Sequence, residues 1–153
     1  MTKALSDARP LLLDVNALLA LAWPNHQFHD AVLERLDRRP SPKWATCLLT
    51  ELGFVRLSSN SAIVSVRQSP AQALEMLQRL TADKHHLYCD VLPELATVKT
   101  SFKRLLGHQQ VTDAYLVAVA AANDATLLTL DQRLVSTVVG GDRVEALKLE
   151  RMH

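Results

Sequence analysis

The chain alternates between short solid runs of apolar residues and longer stretches with apolar residues at helical spacing. Leu11-Leu12-Leu13 is a solid run closed by Asp14, which reads as a buried parallel strand. Asn16 to Ala22 then reads as a short helix stopped by Pro24. His26 to Arg38 carries Phe28, Val32, Leu33 and Leu36 at helical spacing, with Pro40 just past its end. Lys43 to Leu48 reads as a second strand, and Thr50 to Leu57 as a helix with Glu51 in its first turn. A loop is expected at Ser58-Ser59-Asn60-Ser61. Ser69-Pro70 then opens a helix bearing Ala73, Leu74, Leu77 and Leu80, since serine caps well and the fixed φ of proline suits the first helical position. His86 to Cys89 is a weak third strand, and Pro93 to Leu106 reads as a helix with Gly107 as its C-cap. Thr112 is expected to cap a helix from Asp113 to about Ala122, with Leu116, Val117 and Ala120 on one face. Ala125 to Leu130 reads as a fourth strand ending at Asp131. Arg143 to Leu149 alternates weakly, as a last strand after a turn at Gly140-Gly141.

Strands alternating with helices predict a three-layer α/β/α fold around a mainly parallel sheet. At 153 residues, without repeats, low-complexity tracts or linkers, the chain reads as one domain, 1–153, with residues 1–10 as an N-terminal extension. Hydrophobic residues make up 48% and charged residues 22%, an ordinary globular composition. The net charge of +1, from 17 basic and 16 acidic residues, gives no global basic footprint, so any affinity for nucleic acid has to be local. The longest apolar stretch, Leu11 to Trp23, is broken by Asp14 and Asn16 and is shorter than the ~20 residues a membrane span needs. The first ten residues have no signal-peptide pattern, so the expected location is the cytoplasm. Cys47 and Cys89 form no CxxC pair and read as reduced, partly buried thiols.

The acids are the informative residues. Ligands of open parallel sheets bind at the carboxyl ends of the strands. Asp14 ends the first predicted strand, Glu51 follows the second, Asp131 ends the fourth, and Asp113 opens the helix leading into that fourth strand. Four acids from separate segments therefore converge on one rim. Such a cluster repels itself unless a cation compensates it, and hard cations such as Mg²⁺ and Mn²⁺ prefer carboxylate oxygen and water. A carboxylate-held metal suits phosphodiester hydrolysis, in which it activates water and stabilises charge on phosphate. No glycine-rich phosphate loop is present, which disfavours a nucleoside triphosphatase. His26 and His29 share helical spacing but are joined by no cysteine or acid in a zinc pattern, and read as surface residues.

Four segments carry a resemblance: LLLDVNALLALAW (Leu11 to Trp23), TELGFVRL (Thr50 to Leu57), VTDAYLVAVA (Val111 to Ala120) and LLTLDQRL (Leu127 to Leu134). In this order they resemble the PIN domain, in particular VapC-type toxins of bacterial toxin–antitoxin modules, over nearly all of the chain after residue ten. The resemblance implies an endoribonuclease that uses Mg²⁺ or Mn²⁺, forms a homodimer and is blocked by an antitoxin. It implies Asp14 and Asp113 as principal metal ligands, with Glu51 and Asp131 completing the acidic pocket partly through water. Asn16 would orient the first acid, or else serve as N-cap of the short helix. The chain departs from the family in carrying Asn123-Asp124 where small residues or glycine are usual, which bears on the turn rather than the pocket.

Arg56, Lys99, Lys103, Arg104 and Arg133 flank the expected pocket and are candidates for RNA contact, although a solvated basic face explains them as well. Aromatic residues are 5% of the chain, too few for an extended base-stacking platform. Three other readings stay open. Asp14 after an apolar strand fits a phosphoryl-accepting aspartate of receiver-like or dehalogenase-like folds, although the latter want a second acid where Asn16 stands. A housekeeping PIN nuclease outside any toxin pair is the second, and an inactive acidic binding module the third.

Overall fold

The computed structural model describes residues 9–38, 40–60, 68–102, 107–137 and 143–149. Ser61, Lys103, Arg104, the Gly140-Gly141 turn and residues 1–8 of the N-terminal extension lie outside them. The elements run β1 (Leu11–Leu13), α1 (Val15–Ala22), α2 (His29–Asp37), β2 (Trp44–Cys47), α3 (Leu48–Ser58), α4 (Pro70–Thr81), β3 (His86–Cys89), a 3₁₀ turn (Leu95–Val98), α5 (Lys99–Phe102), a second 3₁₀ turn (His108–Gln110), α6 (Val111–Ala122), β4 (Thr126–Thr129), α7 (Leu134–Thr137) and β5 (Val144–Ala146). The strands form one sheet in the order β3-β2-β1-β4-β5, each neighbouring pair parallel.

Period-two alternation divides the strand residues between two cores. Leu12, Ala45 and Leu127 are paired across β1, β2 and β4 and point to one face, where Ala114, Leu116, Val117 and Ala120 of α6 cover them. Leu11, Leu13, Trp44 and Leu128 point to the other, under Ala17, Leu18, Val32, Phe54 and Leu77 from the helices α1 to α4. Burial on both faces is why β1 is leucine throughout; each fully buried leucine contributes roughly 1.5–3 kcal/mol. Gly53 lets α3 close on α1: a β-carbon there would stand 2.6 Å from Val15 Cγ2, so alanine would push on the residue next to Asp14.

Several expected boundaries move. Of the helix expected from Pro93 to Leu106, residues 103–106 lie outside the described residues, and the rest is a 3₁₀ turn followed by the short α5. Thr97 turns its hydroxyl back onto the Glu94 carbonyl at 2.7 Å, and Tyr115 hydrogen-bonds the Pro93 carbonyl, which hold the start of the segment out of an α-helix. Gly107 is no C-cap, since its φ of 178° is extended backbone rather than left-handed. Thr112 does not cap α6: the turn His108–Gln110 runs straight into a helix that begins at Val111. The segment before α2 is a set of turns rather than helix, and α2 starts at His29. Ser69 and Pro70 open α4 as expected, with a reciprocal bond between Ser69 and Gln72.

Candidate functional site

Asp14 follows β1 directly and is 3% exposed. It is the N-cap of α1, taking the Ala17 amide on Oδ1 at 2.7 Å. Asn16, the alternative cap, is exposed and lines the cavity described below. The other Asp14 oxygen accepts the Thr129 hydroxyl at 2.6 Å, and Thr129 Oγ1 in turn accepts the Asp131 amide at 3.1 Å. One buried threonine at the end of β4 thus ties two of the acids together. Burial pushes the Asp14 carboxyl above its ordinary value, and the hydrogen bonds from Thr129 and Ala17 oppose that rise.

Asp113 sits in the first turn of α6, where the helix dipole favours an acid. The helix returns to β4 antiparallel, so its start lies at the carboxyl edge of the sheet. Asp14, Asp113 and Asp131 line one open cavity of about 480 Å³ with Asn16, His26, Gln27, Phe28, Leu130 and Arg133. Burial, with the charges of Asp14 and Asp131 nearby, pushes the Asp113 carboxyl up to about 7. A second hollow of about 370 Å³ contains Asp37 and Asp83, but Asp83 is compensated by Trp44 Nε1 at 2.9 Å and the His85 amide at 3.1 Å. Those bonds hold the Asp83 carboxyl below its usual value, the opposite of Asp113.

The fourth expected acid stands apart. Glu51, in the first turn of α3, accepts the Thr46 hydroxyl at 2.6 Å, and His86 Nε2 lies 2.8 Å from the same hydroxyl. Glu51 does not line the cavity of the three aspartates; it is at the same edge, beside β2. Among the candidate cations, Arg133 lines the cavity, 3.4 Å from Asp131, while Arg56 and Lys99 are exposed and do not line it. Sequence reasoning missed two participants, Thr129 and His26. Thr129 reads simply as strand, although a hydroxyl buried at the end of an apolar run needs a partner. His26 and His29, read as surface residues, are both half-buried: His29 Nδ1 meets the Ala20 carbonyl at 2.7 Å, and His26 lines the cavity.

The donor set, carboxylates without thiolate, suits a hard divalent cation. Among the described residues no three His, Cys, Asp or Glu side chains form a ready-made cage. Mg²⁺ does not require one, since it keeps several waters and is typically held by one or two carboxylates plus substrate phosphate. An open, water-accessible cavity with three carboxylates and no thiolate matches that mode. Thr129→Val keeps the shape of the residue and removes the donor to Asp14. The expected result is a folded protein in which Asp14 has lost one of its two side-chain anchors and whose affinity for a divalent cation drops about 10–100-fold if Asp14 is a ligand. Titration with Mg²⁺ and with Mn²⁺ beside the wild type measures it.

The chain is similar to known proteins over most of its length. The PIN domain family matches residues 11–139. The chain is 37% identical over 131 residues to ribonuclease VapC39 of Mycobacterium tuberculosis, covering 85% of this chain and 94% of the relative. Ribonuclease VapC38 of the same organism is 38% identical over 120 residues, covering 78% of this chain and 84% of the relative. Ribonuclease VapC44, also from Mycobacterium tuberculosis, is 37% identical over 131 residues, covering 85% and 92%.

Proposed function

This chain belongs to the PIN-domain family, and we propose that it is a divalent-metal-dependent endoribonuclease acting as the toxin of a toxin–antitoxin pair. The observation that carries the reading is the convergence of Asp14, Asp113 and Asp131 on one cavity, where burial and the charges of Asp14 and Asp131 raise the Asp113 carboxyl to about 7. The relatives named as VapC ribonucleases support the substrate and the toxin role. RNA is the substrate and a cognate antitoxin the protein partner, in the cytoplasm. Among the described residues no helix is long and apolar enough to cross a membrane.

In this reading Asp14 and Asp113 hold Mg²⁺ or Mn²⁺, with Asp131 beside them in the cavity and Glu51 at the same sheet edge, outside it. The cation, when bound, supplies an activated water and charge stabilisation at the scissile phosphate. Thr129 and the Ala17 amide fix both oxygens of Asp14, so its carboxylate is oriented at no cost when substrate arrives. Asp131 is fixed through its own amide on Thr129 and by the Arg133 amide on Oδ1 at 3.0 Å.

The test is purified protein with single-stranded RNA and Mn²⁺, with and without chelator. Cleavage that appears with the metal and stops with chelator is the expected result; no metal-dependent cleavage leaves the inactive binding module as the better account. The protein is also proposed to work as a homodimer. Leu48 and Leu52, one turn apart on α3, are 47% and 58% exposed, and Leu87, Tyr88, Val91, Leu92 and Leu95 on and beyond the edge strand β3 are 40–64% exposed. Apolar surface of this kind beside an edge strand supports an association face there. Leu52→Arg is expected to halve the mass measured by sedimentation while the circular dichroism spectrum stays that of the wild type, and an unchanged dimer would move the interface elsewhere.

A further inference from the structure

The acidic cavity has one wall that carries no carboxylate. His26, Gln27 and Phe28 come from the turn between α1 and α2, and they line the same cavity as Asp14, Asp113 and Asp131. The turn is built in: the His26 amide reaches the Trp23 carbonyl at 3.0 Å, and the His29 amide reaches the His26 carbonyl at 3.0 Å. His26 Nδ1 accepts the Phe28 amide at 3.1 Å. A neutral imidazole that accepts on Nδ1 carries its proton on Nε2, so its one remaining polar atom is a donor. Burial, and the neighbouring His29, hold the His26 imidazolium below its ordinary pKa, which favours that neutral form.

A cavity of three carboxylates repels a phosphodiester, so a substrate strand needs donors on the surrounding wall. Arg133 stands against Asp131 at 3.4 Å, and Asn16 and Gln27 are exposed, with rotamer freedom to lose on binding. His26 is half-buried with its ring held by a backbone amide, so it offers a donor whose position is already set. Resting on the ribonuclease reading, we propose that the turn at residues 24–28 is an RNA-contacting wall and that His26 Nε2–H donates to a phosphate oxygen of the bound strand. His26 is thus a substrate-binding residue of the site rather than a metal ligand.

Two variants separate this role from a structural one. His26→Asn keeps an acceptor where Nδ1 stands, so the Phe28 amide stays bonded, but it has no donor at the Nε2 position. His26→Gln reaches the Nε2 position with an amide donor and gives up the Nδ1 acceptor. The full chain is assayed with Mn²⁺ and a randomised, end-labelled single-stranded RNA, and binding of the same RNA is measured in Ca²⁺. His26→Asn should raise KM and weaken binding about tenfold, the lower range for losing a hydrogen bond to a charged group, with kcat and Tm near wild type. His26→Gln should recover most of that loss. Nitrogen NMR of the metal-free wild type at neutral pH should show the His26 proton on Nε2. Unchanged binding and KM in His26→Asn, or equal losses in both variants, would overturn the proposal while wild-type cleavage keeps the ribonuclease reading intact. A wild type that neither binds nor cleaves this RNA would overturn both.

Discussion

Asp113→Ala is expected to abolish RNA cleavage, and Asp124→Asn to leave it near wild type. The two aspartates bracket α6, roughly 16 Å apart along its axis at about 1.5 Å per residue, so one metal site cannot use both. Their surroundings are opposite. Asp113 shares a cavity with Asp14 and Asp131, at the carboxyl edge of the sheet. Asp124 is 86% exposed and faces Arg143 at 3.2 Å and Arg9 at 3.9 Å, and Arg9 precedes β1, which puts it at the other edge. Asparagine is the right control at position 124 because the residue sits at a φ of 51°, a left-handed conformation that asparagine tolerates and alanine does not. Asp14→Asn should behave as Asp113→Ala, with a loss beyond the hundredfold or so that marks the upper end for supporting groups. Parallel rates and Mn²⁺ titrations of the three variants decide it. A dead but folded Asp124→Asn would refute the assignment of the site to the carboxyl edge.

How much of this was readable from the sequence follows from which signals are local. β1 and β4 are buried on both faces, so their apolar runs are continuous and the acid closing each is conspicuous; the fold class and Asp14 come from that. The rule that parallel sheets bind ligands at their carboxyl edge then places Asp113 and Asp131. The start of α6 was not readable, because a 3₁₀ turn leads into it and Thr112 mimics a cap it does not form. Glu51 is at the expected edge, but its partners Thr46 and His86 meet it only through the pairing of β2 with β3. His26 reaches the cavity through an irregular turn, which has no period to detect.

Removing the metal should turn Asp113 from an asset into a liability. In chelator, Asp113→Asn is expected to melt above the wild type at pH 8 and level with it near pH 4. The sign follows from linkage. The folded carboxyl is raised to about 7, against an unfolded value of about 4. The protonated folded form contributes stability that is fully present below the unfolded pKa and is lost as pH rises through the folded one. A rise of that size corresponds to roughly 4 kcal/mol, and solvent screening of a partly exposed group cuts this to about 2 kcal/mol. For a chain of this size that is a difference in Tm of roughly 4–8 °C. Asparagine mimics the protonated acid, so it removes this slope and leaves the share that belongs to the buried, likewise raised Asp14. With Mn²⁺ present the order should reverse, because a cation that binds only the folded state stabilises the wild type in proportion to the logarithm of its saturation, and Asp113→Asn has lost a ligand. Melting curves at pH 4, 6 and 8, in chelator and in Mn²⁺, measure both halves. A wild type that gains nothing from Mn²⁺ at pH 8, while Asp113→Asn is no more stable than it in chelator, would show that these three carboxylates do not gather around a cation.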